Sequence, residues 1–83
     1  MTLKVGKNGV IIKIVTPTRV SYIDLTNVKS LSTFGGKNLV ITYNDDAFEY
    51  FECNNNKELL DNYTIIYNLL NKQKEMEDIK NVY

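Results

Sequence analysis

After Gly36 the chain contains neither glycine nor proline, and this asymmetry restricts the folds open to it. Up to residue 54, turn residues cut the sequence into short apolar pieces. Beyond that point nothing interrupts it. Asn8-Gly9 separates Leu3-Lys4-Val5 from Val10 to Val15 and is expected to form a type I′ hairpin turn, whose twist matches that of paired strands. Pro17 ends the second strand because it has no N–H to give a ladder, and Arg19 to Ile23 resumes as a third. Asp24-Leu25-Thr26-Asn27 reads as a weaker corner. Val28 to Phe34 follows and is closed by Gly35-Gly36, then Leu39 to Tyr43 and Ala47 to Cys53 are joined by Asn44-Asp45-Asp46.

Connections this short imply antiparallel neighbours, since a parallel crossover needs about a dozen residues. The expected fold class is therefore α+β, with an antiparallel curled sheet of five or six strands capped by one long C-terminal helix. Residues 1–83 form a single domain, with the sheet over 2–53 and the helix over about 56–80. Alternation places Val10, Ile12 and Ile14 on one face, yet Ile11 and Val15 are apolar on the other. Phe48 and Tyr50 oppose Phe51 and Cys53, which suggests a bulge near Tyr50-Phe51.

The helix has a clear start. Asn55 precedes Glu58 by three residues, a capping-box spacing with Asn in place of Ser or Thr, and Glu58 and Asp61 sit near the positive end of the helix dipole. Two apolar stripes run along it. Leu59, Tyr63, Ile66 and Leu70 form the stripe expected to cover the sheet, while Ile65, Leu69, Met76, Ile79 and Tyr83 form a second. From Lys57 to Lys80 the helix would span roughly 36 Å at about 1.5 Å per residue. Its last turns should therefore project, fray or pack on another chain. The second stripe is the expected partner-binding surface, for a partner protein or a second copy in a homodimer.

Chemistry is poorly provided for. The chain has no histidine, so the commonest general base and metal ligand are missing. Cys53, the single cysteine, reads as a packing residue. Asp45, Asp46, Glu49 and Glu52 lack the glycine and ligand periods of a calcium loop and read as a solvated hairpin edge. Gly35-Gly36-Lys37 lacks the strand-to-helix setting of a phosphate loop. No enzyme, cofactor or metal is expected.

Ten basic and ten acidic residues cancel, but unevenly. Residues 1–44 carry six positive charges against Asp24 alone, and 45–53 carry four carboxylates. A basic strand face with aromatics, drawn from Lys13, Arg19, Lys29 and Lys37 with Tyr22, Phe34, Tyr43, Phe48, Tyr50 and Phe51, makes nucleic-acid binding the second functional class. The zero net charge weighs against it. With no signal-peptide pattern and no apolar run near 18 residues, the expectation is a soluble cytoplasmic protein without membrane insertion. Nine lysines to one arginine and eleven asparagines match AT-rich codons, a composition that fits low-GC bacteria and their phages or plasmids.

The order of elements resembles the bacterial pleckstrin-homology-like (PH-like) modules. The resemblance is carried by Val20-Ser21-Tyr22-Ile23-Asp24-Leu25-Thr26-Asn27-Val28, then Leu39-Val40-Ile41-Thr42-Tyr43 and Phe48 to Cys53, and covers about residues 19–71. It implies a curled sheet capped by the helix, and a module that binds proteins, peptides or lipids. No catalytic residues come with it. A nonenzymatic protein-interaction module, of the kind phages or plasmids encode as accessory or inhibitor proteins, acting through its C-terminal helix, is the expected function.

Overall fold

The corner at residues 24–27 determines the architecture. In the computed structural model, which describes the backbone of residues 1–82 and the side-chain surroundings of residues 1–74, six antiparallel strands form two three-stranded sheets followed by one helix. β1 (Thr2–Val5), β2 (Ile11–Val15) and β3 (Val20–Asp24) make the first sheet. β4 (Val28–Phe34), β5 (Asn38–Tyr43) and β6 (Phe48–Glu52) make the second, and α1 runs from Asn56 to Val82. The single curled sheet expected from the sequence is therefore corrected to two. Between β3 and β4 the chain makes a 3-10 turn over Leu25–Asn27, capped by the Asp24 carboxylate, which accepts from Thr26 N at 2.9 Å and Thr26 Oγ1 at 2.6 Å. Leu25 N bonds Val10 O, and Asn44 N bonds Asn27 O. The corner is thus tied to both sheets, and β4 leaves the ladder of β3.

Leu25 turns inward at this corner and joins a core built from both sheets. Ile12, Ile14 and Ile23 come from the first, and Leu39, Ile41 and Phe51 from the second; Leu59 and Ile66 of α1 close the open side. Each such side chain contributes about 1.5–3 kcal/mol by leaving water. Asn62 of α1 is also buried, and the Cys53 thiol lies 3.9 Å from Met1 Sδ. No buried side-chain polar atom lacks a partner among the described residues.

Two local expectations are revised. The first hairpin does not turn on a type I′ Asn8-Gly9 pair. Gly9 N instead bonds Gly6 O, and of the two residues only Gly9 has a positive φ, at 70°. A tight turn over Gly6 to Gly9 followed by a left-handed glycine does the same job. The β4–β5 pairing, not Tyr50-Phe51, carries the register shift, between Val28 and Ser30. β6 alternates without a bulge, because Phe48 and Tyr50 lie on the outer face and are exposed while Phe51 and Cys53 are buried.

The start of α1 follows the capping-box spacing closely. Asn55 Oδ1 accepts from Glu58 N at 2.9 Å, and the Glu58 carboxylate reaches back to Asn54 N, one residue before the expected position. Its other oxygen takes the amino group of Met1 at 2.9 Å, so the first strand is pinned to the helix start. The bond from Asn54 N, and then Met1, holds the Glu58 carboxyl below its usual range. Since the folded value lies below the unfolded value of about 4.3, the stabilisation is complete above that pH. It fades as pH falls through the folded value. Glu58→Gln is expected to lose about 1 kcal/mol at neutral pH and to converge with the parent in acid. Urea melts from neutral to acidic pH check this; two parallel pH profiles would contradict it.

Candidate protein interface

The outer side of α1 and the free edge of β4 together make a groove. Hydrogen bonding follows from the register: Cys53 N bonds Lys37 O, so alternate residues of β5 face β6 and the others face β4. Phe34↔Asn38, Ser32↔Val40 and Ser30↔Thr42 are then the bonded pairs of β4 and β5. The main-chain groups of Leu31 and Thr33 point away from the sheet, toward its open side, and have no other main-chain partner among the described residues. Across from them stand Leu60, Tyr63, Tyr67 and Leu70 of α1. One part of the groove, about 460 Å³, is lined by Leu31, Ser32, Thr33, Leu60 and Tyr63. It continues along Tyr63, Tyr67 and Leu70 toward Lys74.

The groove walls are firm on the helix side. Tyr63 and Tyr67 stack with centroids 6.0 Å apart and planes 12° apart. Tyr63, Leu70 and Leu31 are half-buried and pack on the core, whereas Leu60 and Tyr67 are exposed. Leu60, Tyr63 and Tyr67 are spaced by three and four residues, which puts them on one side of a helix. The two-stripe division hid this spacing, since it placed Tyr63 in the covering stripe and left Leu60 and Tyr67 out.

Of the residues singled out on the second stripe, Ile65 is exposed and Leu69 packs partly buried against the core. Met76, Ile79 and Tyr83 lie outside the residues whose side chains are described. Most of this stripe as a surface thus lies outside the described residues.

The opposite edge of the second sheet is engaged at one carbonyl. Arg19 reaches from the start of β3 to β6, donating to Tyr50 O and, at 2.9 Å, to Glu49 Oε2. Its guanidinium lies 4.3 Å from the Phe51 ring centroid, a planar cation on an aromatic face. Glu49 also accepts from Tyr43 Oη at 2.6 Å. Burial, and next this bond to Glu49, hold the Tyr43 phenol protonated well above its usual range. On the outer face beside them, Phe34, Tyr50 and Phe48 form an exposed aromatic row, with centroids 6.1 and 5.3 Å apart along it.

The groups considered for chemistry are dispersed or enclosed. Asp46 pairs with Lys29 at 2.6 Å, Asp45 Oδ1 accepts from Ala47 N, and Glu49 is held by Arg19 and Tyr43. Among the described residues no three His, Cys, Asp or Glu side chains gather as a metal-binding group. Cys53 is buried, and desolvation, followed by the Glu58 charge, pushes its thiol up; a protonated, enclosed thiol is a poor nucleophile. A depression of about 500 Å³ is lined by Thr16, Arg19, Asn38 and Glu52 among others, and the Arg19 guanidinium there is already committed to Glu49. No helix among the described residues is long and apolar enough to cross a membrane. No protein-family model matches the chain, and no curated protein matches it.

Proposed function

We propose that the chain is a nonenzymatic protein-interaction module whose groove between α1 and β4 takes an extended segment of a partner protein. The supporting observation is the coincidence of an unpaired strand edge at Leu31 and Thr33 with apolar side chains at Leu60, Tyr63 and Tyr67. An added strand gains main-chain hydrogen bonds from β4, and its alternate side chains enter the groove. The exposed tyrosine Tyr67 supplies the kind of anchor on which such interfaces depend. The partner class agrees with the resemblance to PH-like modules, and the site uses the C-terminal helix, although through its first half.

Peptides selected on phage display against the full chain would test this. Hydrogen exchange with a selected peptide bound should protect the amides of Leu31 and Thr33. Thr33→Pro removes one outward-pointing donor from an edge strand, where proline is tolerated, and should weaken binding by about tenfold. The double variant Leu60→Asp, Tyr67→Asp should lose about thirtyfold or more with an unchanged circular dichroism spectrum. Peptides that bind both variants as well as the parent, or that protect β6 instead, would refute the assignment.

A further inference from the structure

A second surface, on the far side of the first sheet, has a different character. The register aligns Lys4 of β1, Lys13 of β2 and Tyr22 of β3 in one row across the sheet, and a shared row means a shared face. Directly opposed like charges destabilise a strand pair, yet neither lysine has an ion pair among the described residues. The one carboxylate on this face, Asp24, is engaged by Thr26. Tyr22 is 70 % exposed, the most exposed of the large hydrophobic side chains described. Lys13 Nζ stands 5.8 Å from its ring centroid. Val20, two residues away on the same strand face, is also exposed.

We propose that this row binds single-stranded nucleic acid, with a base stacked on Tyr22 and the backbone phosphates held by Lys13 and Lys4. Strands lie about 4.8 Å apart, so the row runs about 10 Å from Tyr22 to Lys4. A ring at one end and two uncompensated cations beside it match a stacked base with its neighbouring phosphates. A tyrosine suits an anionic membrane interface as well, but two lysines fall short of the clusters of about four to eight basic residues that hold such a surface. A partner protein's carboxylates would pair with the lysines and leave the ring to a separate apolar contact, whereas one nucleotide step engages both. The site is separate from the groove of α1 and β4, since it lies on the outer face of the other sheet.

Fluorescence anisotropy of a labelled oligothymidine with the full chain is the test. Weak binding is expected at low salt, with a Kd of roughly 10⁻⁴ to 10⁻⁶ M at physiological salt. Two phosphate contacts give a slope of log K against log salt of about −1.4, at about −0.7 per contact. Lys4→Gln with Lys13→Gln should flatten that slope and weaken binding at low salt by about tenfold or more. Tyr22→Ala should weaken it roughly five- to a hundredfold, and Tyr22→Phe should retain it. Circular dichroism of each variant confirms that these exposed substitutions leave the fold in place. The groove variant Leu60→Asp, Tyr67→Asp should bind the oligonucleotide as the parent does, which keeps this proposal and the peptide groove separately testable. The proposal is overturned by no binding at low salt, by indifference to the lysine substitutions, or by loss in the lysine variant with none in Tyr22→Ala. Tighter binding to vesicles of phosphatidylserine and phosphatidylcholine than to the oligonucleotide would also overturn it.

Discussion

Phe51→Ala is expected to destabilise the protein by about 3–5 kcal/mol, the largest effect of any single truncation in the second sheet. A chain of this length has roughly 4–12 kcal/mol of total stability, so the variant is near or past its folding limit at room temperature. Two losses combine. The ring is almost completely buried between the sheets, and its removal leaves a cavity. The Arg19 guanidinium, 4.3 Å from the ring centroid, also loses the surface on which it lies. Phe48→Ala, three residues earlier on the exposed face, should cost no more than about 0.5 kcal/mol. Urea denaturation of the two variants gives the comparison directly. Equal costs would mean that β6 is turned over relative to this structure.

Ile66→Ala should cost about 2–5 kcal/mol, whereas Ile65→Ala should fall within about 0.5 kcal/mol of the parent. These adjacent, chemically identical side chains differ only in helix phase: Ile66 is 0 % exposed and Ile65 is 44 % exposed. Ile66 lies in the contact between α1 and the sheets, together with Leu59. Its truncation therefore weakens the attachment of the helix as well as the core. Hydrogen exchange should show α1 amides losing protection more than those of β2 in Ile66→Ala. Loss of stability in Ile65→Ala instead would put the buried stripe on the neighbouring side of the helix.

The sequence carried the element order because turn chemistry is local. Pro17, Gly35-Gly36, the Asn44-Asp45-Asp46 corner and the Asn55–Glu58 spacing each act within a few residues, and each marks a boundary in the structure. The splitting of the sheet was not legible in the same way. It depends on Leu25 N meeting Val10 O and Asn44 N meeting Asn27 O, pairings between residues distant in the chain that no local pattern encodes. Aromatic side chains misled for a related reason. Alternation sets Phe48 and Tyr50 opposite Phe51, but with aromatic rings on both faces only the packing of the sheets shows which face is buried.

The groove was partly legible. Tyr63 and Leu70 belong to the stripe read as covering the sheet, and they do pack on the core. Their second role, as a wall facing β4, requires knowing that β4 is an edge strand. Strand order in a sheet is a long-range property, so the sequence offered the helix side of the site and withheld the strand side. Lys4, Lys13 and Tyr22 show the same limit, because their alignment in one row comes from the pairings of β1 and β3 with β2.

The position of Arg19 on β6 has a consequence for assembly. Because a guanidinium binds Tyr50 O while the main-chain groups of Leu31 and Thr33 are open, the two sides of the second sheet are unequal as docking edges. A strand, or a second copy, arriving at β4 meets no such obstacle, whereas one arriving at β6 must displace the arginine from that carbonyl. A sheet open on both sides could relay pairing from molecule to molecule without end, as in fibres. One arginine thus makes relay through β6 costlier than recognition at β4.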